Sequence, residues 1–285
     1  SLVMLACAAG LAMPAQAQWE PERPIEFVIQ TSPGGGSDIY TRLWLGIIDK
    51  HELSPVPVTP VNMPGGAGAV ALTYLYSQDG DPHYVTPTLN SIVTTPLQQR
   101  IPVMYTSRDL TPVAMMTIDP FLLWVNPASF TSWEEFHAAC QERRLTANGT
   151  GARQEDEIHI GLLQKASGCM DFRYVPQSGG GTVASNVAGG HADFSVNQPA
   201  EAAPHYPDRM VPIVMFSENR HPTYSDTPTH WELEIGTEGD GEYAKLLALE
   251  TGLHQVRGLI GPPNMPEEAK AWYDDLFRKV FEAPE

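Results

Sequence analysis

Arg23-Pro24-Ile25-Glu26-Phe27-Val28-Ile29-Gln30-Thr31-Ser32-Pro33-Gly34-Gly35-Gly36-Ser37-Asp38 decides the fold. Residues 25–31 are apolar and rich in β-formers, so they predict a short strand. Pro33, Gly34, Gly35 and Gly36 break it. Ser37 is a good N-cap, and Tyr40, Leu43, Trp44, Ile47 and Ile48 then recur at helical spacing. A strand, a glycine turn and an amphipathic helix in immediate succession are the opening of a βα unit.

The same grammar continues outward. Residues 56–62 predict a strand, 65–68 a glycine turn, and Ala67, Val70, Ala71, Tyr74 and Leu75 a helical face. Residues 83–89 predict a third strand, and 110–117 and 121–125 two more. Thr131-Ser132-Trp133-Glu134 reads as a capping box opening a helix to about Arg144. Strands at 145–148 and 172–175 are followed by the turns Gly149-Thr150-Gly151 and Gly179-Gly180-Gly181, each before a helix. Residues 192–196, 211–216 and 253–260 read as further strands, and Pro266 opens a last helix. Alternating β and α implies parallel strands with covered faces. Four glycine turns therefore sit between a strand end and a helix start, at the edge of an α/β sheet where ligands bind. Helix N-termini leave N–H groups unpaired and carry partial positive charge, and glycine lets an anion come close.

The chain has 285 residues, enough for two α/β lobes, with 17 basic and 34 acidic side chains and a net charge of -17. That field disfavours nucleic acid and anionic lipid. An anionic ligand would need local donors. Residues 1–17 resemble the apolar part of a secretory signal, with Ala15-Gln16-Ala17 as cleavage site, so export and release after Ala17 are expected. No basic n-region precedes that run and no cap follows Glu285, so the chain reads as clipped at both ends. Cys140 shares a helix face with Trp133, Phe136 and His137, and is read as a small core residue rather than half of a bridge to Cys169.

Several chemistries fail on their motifs. Gly66-Ala67-Gly68-Ala69-Val70-Ala71 fits a loose dinucleotide fingerprint, but no acid stands at the end of the next strand. No P-loop, G-x-S-x-G, H-E-x-x-H or Cys/His metal spacing is present. His159 beside Glu155-Asp156-Glu157 reads as a solvated helix start. Asp38 and Arg42 form either an intrahelical ion pair or a brace for the glycine loop, and the spacing permits both.

These motifs, in this order, resemble the substrate-binding proteins of tripartite tricarboxylate transporters, the Bug-type receptors. The resemblance runs from about Pro24 to Val280. It rests on the opening stretch with Arg42, Asn62-Met63-Pro64-Gly65-Gly66-Ala67-Gly68, Asp109-Leu110-Thr111-Pro112-Val113-Ala114, Gly149-Thr150-Gly151, Tyr174 to Gly181, Gly189 to Asp193, and Pro228-Thr229 with Glu232 or Glu234 and Gly236. It implies a two-lobed α/β periplasmic binding protein of the Venus-flytrap kind, each lobe a mostly parallel sheet flanked by helices. Residues 24–122 plus 224–285 would form lobe 1, residues 123–223 lobe 2, and segments near 120–127 and 216–227 the hinge. A small carboxylate ligand would lie between Pro33, Gly34, Gly35, Gly36, Ser37 and Asp38 on one side and Thr150, Gly151 and Ala152 on the other. Ser91, Thr94, Ser178, Gly179 and Gly180 would complete the wall. The implied partners are that ligand and the transporter's membrane subunits, with no cofactor, no metal, no nucleic acid and a monomeric state. A sensor input and an α/β enzyme acting on an anionic metabolite are the rival readings. The sequence departs from the family at Thr182, where Glu is usual, and at Gln177. Arg153 is either a partner for a distal ligand carboxylate or a solvated loop residue, and the solvated reading is preferred.

Overall fold

The computed structural model describes residues 19–98, 103–247 and 254–284. The expected signal segment, 1–17, and its cleavage after Ala17 lie outside the described residues. The elements run β1 (Ile25–Ile29), α1 (Gly36–Lys50), β2 (Val58–Asn62), α2 (Ala69–Tyr76), β3 (Tyr84–Pro87), α3 (Ser91–Leu97) and β4 (Thr111–Asp119). Then come β5 (Phe121–Val125), α4 (Trp133–Glu142), β6 (Thr146–Thr150), α5 (Glu155–Ser167), β7 (Arg173–Gln177), α6 (Gly180–Ala188), β8 (Phe194–Asn197), α7 (Pro199–Ala202) and β9 (Val211–Phe216). The chain closes with α8 (Glu242–Leu247), β10 (Gln255–Gly261) and α9 (Glu267–Glu282).

Two five-stranded sheets result, ordered β2-β1-β3-β10-β4 and β7-β6-β8-β5-β9. In the first, β1 pairs in parallel with β2 and β3, and β10 pairs antiparallel with β3 and β4. The second repeats the plan: β6 is parallel to β7 and β8, and β5 is antiparallel to β8 and β9. Each sheet is thus mixed, with four strands running the same way and one, β10 or β5, reversed. The reason is the crossing: β5 follows β4 after Pro120 alone, and β10 follows the long return from the second lobe. Each enters its sheet against the direction of the βα units.

Strand alternation builds both faces of each sheet. Phe121, Leu123 and Val125 face a core with Phe136, Ile160, Leu163 and Phe194, while Leu122 and Trp124 face another with Val187 and Met215. In the first lobe Ile25 and Phe27 pack on Trp44, Trp272 and Phe277, and Leu72, Leu75 and Ile260 cover the other side. Ile235 and Leu247 pack in the second core, and Thr229 bridges to Met215. Tyr224 packs on Trp124, so residues 224–247 lie on the second lobe, although the sequence grouping put 224–285 with the first. That stretch has no sustained periodicity, so only its packing assigns it.

Two local expectations shift. The N-cap of α4 is Ser132, whose hydroxyl accepts from Glu135 N–H at 3.4 Å, while the Glu135 carboxylate accepts from Thr131 N–H at 2.7 Å. The capping box sits one residue later than read. Cys140 and Cys169 form a disulfide, with Cα atoms 5.1 Å apart, which overturns the free-core reading of Cys140. Gly168 ends α5 at φ 67 and swings Cys169 back beneath α4, and that reversal is not visible in helix-face periodicity. The bridge closes a loop with a sequence separation of 29. Its reduction is expected to cost roughly 3 to 4 kcal/mol, seen as a lower urea midpoint in reductant. An unchanged midpoint would show that the bridge contributes nothing.

Candidate functional site

The first glycine loop is held by a side chain behind it. Asp38 accepts from Gly34 N–H at 2.9 Å and from Arg42 Nε at 2.9 Å, and Asn62 Nδ2 donates to it at 3.0 Å. Burial pushes this carboxyl up, but those hydrogen bonds outweigh it and hold Asp38 below the usual range. Both readings of the Asp38–Arg42 pair hold at once: it is an ion pair, and it braces the loop. Gly34 sits at φ +79, the left-handed region that favours glycine.

The helix start differs from the sequence reading. Gly35 is the N-cap of α1 and offers no side-chain bond, while Ser37 lies one residue inside the helix. Its hydroxyl is buried and has no partner from the protein, as is that of Thr31. In the second lobe, Asp156 accepts from Thr150 N–H at 2.6 Å and the Tyr174 hydroxyl donates to Gly151 O at 2.6 Å. The two triple-glycine loops meet: a Cβ on Gly181 would lie 2.5 Å from Gly34 O. Only glycine permits that approach.

A cavity of about 300 Å³ lies between the lobes. Of the residues expected there, Gly36, Ser37, Ser91, Thr150, Gly151, Ser178 and Gly180 line it. Pro33, Gly34, Gly35, Asp38, Thr94, Ala152 and Gly179 do not. They shape the loops behind, and the Thr94 hydroxyl spans the lobes to Gln154 Oε1 at 2.7 Å. Gln154 reaches the cavity, whereas Arg153 is exposed to solvent.

The wall also holds groups that the sequence reading missed: Gln30, Thr31, Glu155, Asp156, Gln198, Glu201, Gln255 and Arg257. Glu155 and Asp156 are buried, and His159 is fully so, stacked on Phe121 with ring centroids 4.1 Å apart. The solvated reading of this helix start is therefore wrong. Acids in a first turn normally face water, but here α5 points its first turn at the other lobe. Burial pushes His159 down to about 4, and its Nδ1 lies 2.8 Å from Glu155 O. Glu201 is carried by α7, where Pro199 occupies the start of the helix directly after β8. A proline at that position after a predicted strand is the one sequence signal that marks this edge. Glu201 Oε1 accepts from Gly36 N–H across the lobes at 2.8 Å. Arg257 on β10 pairs with Asp119 at 3.0 Å, lies 5.0 Å from the Tyr40 ring centroid, and donates to Gln198 Oε1 at 3.3 Å.

The cavity's acids are poised toward neutrality. Burial raises Glu155, pushes Asp156 well up against the bond from Thr150, and lifts Glu201 to about 7 despite Arg257 and Gly36. A raised carboxyl binds its proton more tightly folded than unfolded. Its stabilisation is full below the unfolded value and drains away as pH rises through the folded one. For Glu201 the window runs from its ordinary 4.5 to about 7. Ligand-free protein is expected to lose stability from pH 5 to pH 7 by up to about 1.4 kcal/mol per unit from this group. Urea titrations should show Glu201→Gln flattening that slope, and an equal slope in both proteins would refute the assignment.

No protein-family model matches the chain. It is 25% identical over 286 residues to the UPF0065 protein in gbd 5′ region of Cupriavidus necator, covering 97% of this chain and 81% of that protein. It is 26% identical over 236 residues to Protein BugT of Bordetella pertussis, covering 79% and 70%. Among solved structures, MatC from Rhodopseudomonas palustris with bound malate superposes with a TM-score of 0.78 at 22% identity, covering 92% of this chain and 86% of that one. The two-lobed architecture is therefore the one seen in periplasmic binding proteins.

Proposed function

We infer that this relative of the Bug-type solute-binding proteins is itself a receptor. It catches a small carboxylate between its lobes and presents the closed form to the membrane subunits of a tripartite tricarboxylate-type transporter. The observation that carries this reading is the convergence of the α1, α5 and α6 starts, from both lobes, on one cavity. First-turn N–H groups and helix dipoles give an anion local donors inside a chain of net charge -17. MatC, with the same architecture, holds malate.

The mechanism is hinge closure. The lobes are joined at Pro120, between β4 and β5, and between Leu247 and Gln255. A ligand that touches both lobes favours the closed state by its differential affinity for that state. Ser37, Ser91, Thr150, Gly151, Ser178 and Gly180 are the proposed contacts, with Gln154 and Glu201 added to the set. On this reading the protein works in the periplasm as a monomer and catalyses nothing. No helix among the described residues is long and apolar enough to cross a membrane. The buried acids serve recognition, and chemical turnover of a bound acid would overturn that.

The test is a thermal-shift screen against mono-, di- and tricarboxylates and amino acids. A ligand at about 100 times its dissociation constant should stabilise the protein by roughly 2.7 kcal/mol. The shift is expected to vanish in Gly151→Leu, which places a bulky side chain at φ +70 beside Ala67 of the facing lobe. A flat response across the whole panel would sink the receptor reading.

A further inference from the structure

The lobes touch through several direct hydrogen bonds. At the rim, the Thr94 hydroxyl bonds Gln154 Oε1 at 2.7 Å, and Gln98 Nε2 donates to Arg153 O at 3.0 Å. Between the glycine loops, Ser32 N–H reaches Ser178 O at 3.4 Å. None of these pairs titrates. The contact at Gly36 does. Gly35 gives α1 no side-chain cap, so its first N–H groups look outward for acceptors. Glu201 Oε1, on α7 of the other lobe, takes the Gly36 N–H at 2.8 Å. The other oxygen, Oε2, is buried with no hydrogen-bond partner from the protein. An ionised carboxylate in that position keeps charge on a dry oxygen, and a proton removes the cost. Glu155 shares the wall, but the Thr94 hydroxyl serves it at 3.3 Å.

Closure creates this state, because much of what surrounds Glu201 comes from the first lobe. Gly36 and Tyr40 stand on α1, Asp119 on β4 and Arg257 on β10, while Glu155 and Asp156 on α5 belong with Glu201 to the second lobe. Burial lifts the Glu201 carboxyl, Asp119 and Asp156 add like charge, and Arg257 and the Gly36 N–H only partly oppose them, leaving it at about 7. Parting the lobes withdraws the first-lobe groups and admits water, which returns the carboxyl toward its ordinary 4.5. We propose that Glu201 is a proton-operated latch between the lobes: closing takes up a proton on its carboxyl, and losing that proton favours the open form. The proposal rests on the receptor reading above and adds a control on its closure. The proton is held more tightly closed than open. The closed form therefore has its full advantage below the ordinary value, and that advantage drains away as pH rises through about 7.

An engineered bridge reads closure directly. A Cβ on Gly179 would lie 3.6 Å from Ser32 Cβ of the facing lobe, within disulfide range, and neither residue lines the cavity. Ser32→Cys/Gly179→Cys is equilibrated with reduced and oxidised glutathione at pH 6 and pH 8, with Glu201 in place and with Glu201→Gln. The bridged fraction is counted by peptide mapping. Glu201→Gln keeps an oxygen for the Gly36 N–H but holds no proton to lose. The thiols are the same in both proteins, so their own pH dependence cancels in the ratio of the two bridging constants. That ratio is expected to fall about tenfold from pH 6 to pH 8. A ratio that does not move overturns the latch and leaves the receptor reading standing. A ligand screen that finds nothing sinks the receptor reading without moving the ratio. Should Glu201→Gln not fold, Glu201→Ala is the reference and the same fall is expected. Should neither fold, small-angle scattering of the wild type decides: a larger radius of gyration at pH 8 than at pH 6 supports the latch, and an equal one overturns it.

Discussion

A carboxylate shut away from water must find donors, and Glu201 finds its donor in the other lobe. Its bond to Gly36 N–H couples α7 of the second lobe to the start of α1 in the first. The glycines around it follow from that contact. Gly36 and Gly180 are bare because any Cβ would collide with the carboxylate, and Gly181 is bare because Gly34 O passes close by. The glycine loops are thus shaped as much by each other as by any ligand.

Around this contact the crossing between the two sheets is wired with charge. Asp119 ends β4, one residue before the chain crosses at Pro120, and Arg257 stands opposite on β10, just after the chain has crossed back. Tyr40 donates to Asp119 at 2.7 Å and lies beneath the guanidinium. Gln198 ties the same group to the second lobe. Both crossings therefore meet in one buried polar network. Losing either ion partner would strand the other charge, the costly case for a buried pair.

The βα grammar was legible because it is local. Strand runs, glycine breaks and 3.6-residue spacing lie within a few residues of one another, and β1, α1, β6 and α6 fall close to where periodicity put them. Half of the expected cleft residues line the cavity for the same reason: a βα turn always sits at the carboxyl edge of its strand. Three things were not local. The antiparallel entry of β5 and β10 depends on where the chain crosses between lobes. Residues 224–247 carry no period, so only the packing of the second lobe claims them. The disulfide depends on a left-handed turn at Gly168 that brings Cys169 back under α4.

The sequence by itself determined a two-lobed α/β chain with glycine loops at the strand ends, because short-range patterning and backbone stereochemistry carry that information. Tertiary structure alone decided what those loops surround. Glu155 and Asp156 look like ordinary first-turn acids in the sequence, and Glu201 and Arg257 carry no motif. They become a cavity wall only when segments far apart in the chain are folded against one another. Burial, which no linear pattern records, then raises the carboxyls of Glu155, Asp156 and Glu201 above their ordinary range.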